Sequence, residues 1–133
     1  QQGMAQTLQS LASLERGLVF VNLVDFDMLY GHRRDASGFG TALEDFDRWL
    51  PELMSFMRQE DLLIVTADHD CDPTTPGTDH SREYVPALVW SPGQIEGAVL
   101  DDRLTFADVA ATVAEAFGLQ FPVGASLLER DSA

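Results

Sequence analysis

The chain has 133 residues, of which 45% are hydrophobic, and this suits a single globular domain with a usable core. Its formal net charge of −14 would repel nucleic acid and anionic membranes, so neither is an expected partner. A single cysteine, Cys71, excludes an internal disulfide and fits a reducing cytoplasm. No apolar stretch approaches the roughly 20 residues of a membrane span, and the first residues lack the plan of a secretion signal.

The first half of the chain predicts a helix, a strand and a longer helix. Residues 4–14 carry apolar side chains at helical spacing, and Gly17 ends that helix. Residues 18–24 are almost continuously apolar, which predicts a strand covered on both faces. An amphipathic helix follows over residues 39–57, where Pro51 either kinks the helix or begins a second one.

The second half predicts two strands and a helix. Residues 61–67 form a strand, and residues 84–90 form another, in which Pro86 indicates an edge or a bulge. Residues 105–117 form a helix with Thr105 as N-cap of an imperfect capping box. The order of elements predicts one domain over residues 1–133, an α/β sandwich with a mostly parallel sheet. Its sheet is expected to expose an unpaired edge, which invites self-association.

Carboxylates and imidazoles cluster after two of the predicted strands. Residues 68–80 read DHDCDPTTPGTDH and hold two of the three histidines, beginning with Asp68 and His69 directly behind a strand. The third histidine, His32, follows the earlier strand through Asp27, and Gly31 permits a sharp turn before the imidazole. Open α/β sheets place their ligands at the carboxyl ends of strands, so these segments predict a divalent-metal site.

The ligand types narrow the choice of metal. The candidate ligands are two aspartates and three histidines: Asp27, His32, Asp68, His69 and His80. This mixture suits Mn²⁺, Zn²⁺ or Fe²⁺ better than Ca²⁺, which prefers oxygen alone. An EF-hand is excluded because Pro73 stands where that loop needs glycine and Asp79 where it needs glutamate. Cys71 lies within the same loop as a soft ligand, a nucleophile or, more commonly for such a residue, a small filler.

Four segments together resemble the carboxyl-terminal part of bacterial phosphopentomutases, of the alkaline phosphatase superfamily. They are NLVDFDMLYGHRRD at 22–35, TADH at 66–69, DPTTPGTDHSREYVP at 72–86 and TFADVAATVAEAFG at 105–118. The resemblance implies an alkaline phosphatase-like α/β fold and an isomerase that interconverts ribose 1-phosphate and ribose 5-phosphate, or the deoxy forms. It implies two Mn²⁺ ions, one held by Asp27, His32 and His80 and the other by Asp68 and His69.

The same resemblance leaves part of the active site to be supplied from elsewhere. The family's phosphothreonine nucleophile, its remaining metal-binding aspartate and its cap domain have no counterpart here, so no catalytic residue is assigned and the isolated chain is expected to be inactive. The family usually has Gly-Asn where Asp70 and Cys71 stand. Two alternatives stay open: another phosphohydrolase or mutase of the superfamily, or a non-catalytic metal-binding fragment.

Overall fold

A computed structural model describes residues 2–94 and 96–128. The chain forms two compact units that each draw on two stretches of sequence. The first unit comprises the chain up to Arg58 together with His69–Val85, and the second comprises Gln59–Asp68 together with the chain from Pro86 onward. Among the described residues, no helix combines the length and the apolar character that crossing a bilayer requires.

Two predicted helices are confirmed in the first unit. Helix α1 spans Gln2–Ser13 and helix α2 spans Ala36–Phe56. Helix α2 runs through Pro51 without ending there, which settles the choice that the sequence left open. The side chain of Asp35 caps α2 by accepting a hydrogen bond from the backbone N–H of Gly38 at 2.8 Å.

The predicted strand at residues 18–24 is not present in the described structure, where this stretch has no regular secondary structure. Residues 18–23 make no backbone–backbone hydrogen bond to another described residue. Several of their apolar side chains face solvent, with Phe20 85% exposed and Leu18 63% exposed. A strand needs a neighbour to satisfy its backbone, and no described strand lies beside this stretch. It is followed by a π-helical turn at Phe26–Gly31.

The second unit contains a two-stranded sheet. Strand β1 spans Leu63–Thr66 and strand β2 spans Ala87–Trp90, which confirms two of the predicted strands in shortened form. The strands are antiparallel, with Leu63 opposite Trp90 and Thr66 opposite Ala87. The described sheet therefore differs from the mostly parallel one that the order of elements predicts, because the chain returns from β1 to β2 through the residues 68–80 loop rather than through a helix.

Helix α3 spans Ala107–Ala116, as predicted within two residues at its start. The capping box is wrong: Phe106 occupies the N-cap without a side-chain bond, and Thr105 Oγ1 accepts from the N–H of Ala107 at 3.2 Å. Asp108 is buried and accepts a hydrogen bond from the N–H of Ala125 at 2.8 Å instead.

A buried threonine ties α3 to the segment that follows it. Thr112 is completely buried, donates to the carbonyl of Asp108 at 2.6 Å and accepts from the N–H of Leu127 at 2.8 Å. Together with the Asp108 bond to Ala125, this contact satisfies two backbone donors in a segment without regular secondary structure. Buried polar side chains therefore fix the end of the described chain on α3.

Apolar burial is small for a chain of this length. The buried hydrophobic residues among those described are Leu53, Cys71 and Leu127. Large apolar side chains are exposed in both units, among them Phe20, Leu104 and Phe121. Scattered exposed apolar residues are normal in proteins, but so few buried ones leave little hydrophobic stabilisation, and the expectation of a usable core is not met within the described residues.

We predict that Thr112→Val lowers the free energy of unfolding by about 1–3 kcal/mol, because the buried N–H of Leu127 loses its acceptor while the side-chain volume is kept. Chemical denaturation followed by circular dichroism measures the change. Thr41→Val is the matched control, since the exposed Thr41 hydroxyl also donates to the carbonyl four residues earlier, at 3.0 Å. A loss for Thr112→Val no larger than that for the control would contradict this account.

Candidate metal centre

A π-helical turn presents two of the candidate ligands. Asp27 lies within the turn at Phe26–Gly31, and His32 follows it directly, with the backbone N–H of His32 donating to the carbonyl of Asp27 at 3.0 Å. π-Helical turns are rare in proteins, and those that do occur are often found at functional sites. A π-helical turn is wider than an α-helical one. It brings the two side chains together, so that Nε2 of His32 lies 3.3 Å from Oδ1 of Asp27.

A hydrogen bond determines which nitrogen of His32 faces the carboxylate. Its Nδ1 contacts the backbone carbonyl of Thr78, which can only accept. Nδ1 must therefore carry the proton in this contact, and in the neutral imidazole the lone pair is left on Nε2. A backbone carbonyl that holds one ring nitrogen while the other points to a metal position is the usual arrangement around ligand histidines.

Side-chain hydrogen bonds shape the loop that carries the other two histidines. Ser81 Oγ donates to Oδ2 of Asp70 at 2.8 Å and accepts from the backbone N–H of Asp72 at 2.9 Å. Asp72 Oδ1 accepts from the backbone N–H of Thr74 at 2.8 Å and from its hydroxyl at 2.7 Å, and these bonds lower the pKa of Asp72. Asp70 and Asp72 therefore organise the loop.

The loop places the three histidines in contact with one another. The rings of His69 and His80 stack with their centroids 3.6 Å apart, and the rings of His32 and His80 stack at 4.9 Å. Nε2 of His80 also lies 3.4 Å from Oδ1 of Asp27. His32 and His80, which are 48 positions apart in the sequence, thus meet at one carboxylate oxygen of Asp27, and His69 stacks on His80.

The spacing of these atoms matches that of metal ligands. Two atoms that are each about 2.1 Å from one ion lie about 3.4 Å apart across a tetrahedral edge. The distances from Asp27 Oδ1 to Nε2 of His32 and of His80 are 3.3 and 3.4 Å, longer than a usual hydrogen bond. Oδ1 is buried and has no hydrogen-bond partner among the described residues, a costly state that a bound cation would relieve.

Two sets of three residues bring their ligand atoms within 4.8 Å of one another. One set is Asp27, His69 and His80, and the other is Asp27, His32 and Cys71. Asp27 belongs to both sets. The two sets are therefore either alternative positions for one ion or neighbouring positions for two ions that share the Asp27 carboxylate. The residues of both sets lie in the first unit, and their donor atoms fit a divalent cation of the transition series.

The grouping differs from the one that the resemblance implies. His69 lies with Asp27 and His80, whereas the resemblance pairs it with Asp68. Asp68 follows β1, is exposed, belongs to the second unit and is a member of neither set among the described residues. The structure thus brings together Asp27 and the three histidines, and the assignment of Asp68 stays a prediction.

Cys71 belongs to one of the two candidate sets, although a lone cysteine was not predicted from the sequence to be a metal ligand. Its side chain is buried, and burial is the first cause of a raised pKa, followed by the charge of Asp27, a hydrogen bond to Asp27, and the charges of Asp70 and Asp72. The one feature of the sequence that indicates a metal-ligand role for Cys71 is its position, two residues after His69 in the loop that carries the other candidate ligands. A lone cysteine is more commonly a filler, so position alone did not favour a ligand.

We predict that Asp27→Asn weakens binding of Mn²⁺ and Zn²⁺ more than loss of any single histidine, because Asp27 is the member common to both sets. The affinity should fall by at least about 10-fold. Loss of a residue that only hydrogen-bonds to a metal ligand already costs about 10- to 100-fold in affinity. Isothermal titration calorimetry measures it. Asp25→Asn is the control, since Asp25 is exposed and its side chain makes no capping bond; equal losses in the two variants would refute the role of Asp27.

Comparison with known proteins agrees with a metal-binding site. The chain is 60% identical over 128 residues to the phosphopentomutase of Syntrophotalea carbinolica, an alignment that covers 96% of this chain and 33% of that relative. It is 59% identical over 126 residues to the phosphopentomutase of Anaeromyxobacter sp. strain K, with 95% and 32% covered. The chain thus spans about a third of the length of these curated relatives. The profile of the Metalloenzyme superfamily matches residues 1–121, and the chain belongs to that superfamily.

Proposed function

We propose that this chain is the carboxyl-terminal, metal-binding part of a phosphopentomutase, which interconverts ribose 1-phosphate and ribose 5-phosphate or their deoxy forms. The observation that carries the proposal is the identity of 60% with a phosphopentomutase across 96% of this chain. The convergence of Asp27 with His32, His69 and His80 supports it, because phosphoryl transfer is commonly assisted by divalent cations.

The proposed cofactor is a pair of Mn²⁺ ions. Asp27, His32 and His80 would hold one, and Asp68 and His69 would contribute to the other. When bound, two such ions stabilise the charge on the attacking and leaving oxygens of a phosphoryl group. They would also offset the net charge of −14, which otherwise repels a sugar phosphate.

The chain itself would position and orient these ligands. The carbonyl of Thr78 holds Nδ1 of His32, so that Nε2 is available to an ion. The bonds of Ser81 to Asp70 and Asp72 hold the loop on which His69 and His80 stack. We propose that the phosphothreonine nucleophile and the remaining metal ligand come from a part of the mutase that this chain does not contain.

We also propose a role for residues 18–24 in the sheet of the complete protein and a cellular location. Residues 18–24 would be a strand of a mostly parallel, alkaline phosphatase-like sheet once neighbouring strands cover them. Exposed apolar side chains in this stretch, and the lack of backbone hydrogen bonds from residues 18–23 to other described residues, support this role. We place the protein in the cytoplasm, which the free thiol of Cys71 supports.

We predict that the complete protein converts ribose 1-phosphate to ribose 5-phosphate in the presence of Mn²⁺, and that the 133-residue chain alone does not. Asp27→Ala should remove the activity of the complete protein, whereas Asp25→Ala should retain it. An enzyme-coupled assay for ribose 5-phosphate measures both. No product above a metal-free control would refute the mutase, and a panel of phosphate esters would then reveal a phosphohydrolase or another mutase of the superfamily.

We also predict that the 133-residue chain self-associates through residues 18–24. Residues 18–23 make no backbone hydrogen bond to another described residue and several side chains of the stretch are exposed, so it can pair with a second copy as an added strand. Phe20→Pro removes a backbone donor and should reduce association, whereas Phe20→Ala keeps the donor and should reduce it less. Multi-angle light scattering measures the mass of each variant. A monomeric wild-type chain, or an equal effect of the two substitutions, would contradict pairing through this edge.

A further inference from the structure

The loop residue Asp70 makes hydrogen bonds beside two histidines of one candidate set. Nδ1 of His69 lies 3.3 Å from the backbone carbonyl oxygen of Asp70, and because a carbonyl can only accept, Nδ1 carries the proton of this bond. In the neutral ring the lone pair is then on Nε2. The carboxylate of Asp70 accepts a hydrogen bond from the hydroxyl of Ser81, with Oγ 2.8 Å from Oδ2, and Ser81 directly follows His80.

We propose that Asp70 is a positioning residue of the metal centre. Its carbonyl holds His69, and its carboxylate holds the backbone next to His80 through the hydroxyl of Ser81. The two imidazoles are thereby kept in the arrangement in which they bind one ion together with Asp27. The proposal rests on the metal-binding part of the proposed function and adds to it a residue that acts through the ligands.

Asp70 is suited to this role because it does not bind the ion itself. It is a member of neither candidate set among the described residues, and its Oδ2 is occupied by the hydroxyl of Ser81. Glycine, which is usual at this position in the family that the sequence resembles, would keep the carbonyl but could not bond to Ser81. The carboxylate is therefore the part of the arrangement that this chain adds.

The hydroxyl of Ser81 is fully engaged within the loop. It donates its single proton to Asp70 and accepts a hydrogen bond from the backbone N–H of Asp72 at 2.9 Å. A hydroxyl that donates and accepts at once has a fixed orientation, and its bond to a carboxylate is stronger than a bond between neutral groups. Asp70 and Ser81 also pair through their backbones as an isolated antiparallel bridge. Side chains and backbone together therefore join these two residues.

This pairing closes the loop beside the histidines. Asp70 and Ser81 are 11 positions apart in the sequence, and each directly follows a histidine. The rings of His69 and His80 stack with their centroids 3.6 Å apart and their planes at 17°. An open loop would have to lose its conformational freedom when an ion binds, and this entropy cost would reduce the affinity. A loop that is closed beforehand does not incur that cost on binding.

The carboxylate of Asp70 can act on a bound cation by its charge or by its hydrogen bond, and two substitutions separate these effects. Ser81→Ala removes the hydrogen bond and keeps the charge, whereas Asp70→Asn removes the charge and keeps an oxygen that accepts from Ser81. Ser81→Ala should lower the affinity for Mn²⁺ by about 10- to 100-fold, as loss of a partner of a metal ligand does. Asp70→Asn should cost less than Ser81→Ala. The reverse order would mean that Asp70 acts by its charge and would overturn the proposal.

Isothermal titration calorimetry of the 133-residue chain with Mn²⁺ measures these affinities, and circular dichroism checks that each variant is folded. Thr74→Val is the matched control. It removes another hydroxyl bond to an aspartate of the loop, from Oγ1 of Thr74 to Oδ1 of Asp72 at 2.7 Å, and should leave the affinity unchanged. In an Asp70→Ala background, Ser81→Ala should have little further effect, because the two residues act through one bond. Additive losses would contradict this mechanism.

A second measurement needs no metal. The chain has three histidines, so their ring protons can be assigned by nuclear magnetic resonance. In the metal-free wild-type chain, the stacked rings of His69 and His80 should give a nuclear Overhauser effect, which Ser81→Ala should lose and Thr74→Val should keep. An effect that persists in Ser81→Ala would overturn the positioning role.

The two proposals fail in different ways. A wild-type chain that binds no Mn²⁺ refutes the metal centre itself and the role of Asp70 with it. Binding of Mn²⁺ that is insensitive to Ser81→Ala refutes the role of Asp70 alone and leaves the metal-binding function in place.

Discussion

The carboxylate of Asp27 is the point on which the site depends. Its Oδ1 is buried, lies 3.3 Å from Nε2 of His32 and 3.4 Å from Nε2 of His80, and has no hydrogen-bond partner among the described residues. A buried carboxylate oxygen without a hydrogen bond is unfavourable, and imidazole nitrogens at these distances relieve that cost only in part. This oxygen therefore favours the binding of a cation. The loop and the π-helical turn keep the carboxylate and the imidazole nitrogens close together.

Local pattern was enough to predict the helices and the two strands of the second unit. Apolar spacing gave α1, α2 and α3, and continuous apolar runs gave β1 and β2. Residues 18–24 form no strand in the described structure despite their apolar run, because such a run indicates a tendency to be covered and does not say what covers it. Local pattern does not give strand direction either, since pairing depends on partners distant in the sequence: β1 and β2 are antiparallel, and the mostly parallel sheet stays a prediction.

The candidate site was predictable in its residue types and less so in its grouping. Asp27 and the histidines stood out because metal ligands occurred near predicted strand ends in the sequence. Which residues share a position depends on the turn and loop geometry: the π-helical turn sets His32 beside Asp27, and the loop stacks His69 on His80. Cys71 and Gly31 are in contact although they are 40 positions apart. The spacing of apolar residues along the sequence does not indicate such a contact.

That approach also limits how the site can be changed. A Cβ at position 31 would meet not only Sγ of Cys71 but also its Cβ, at 3.0 Å. Replacing the cysteine by alanine would remove the contact with Sγ but leave close contacts with the Cβ at position 71 and, at 3.2 Å, with the carbonyl oxygen of Phe26. Variants of this loop should accordingly keep glycine at position 31, because a side chain there would meet position 71 and the carbonyl of Phe26.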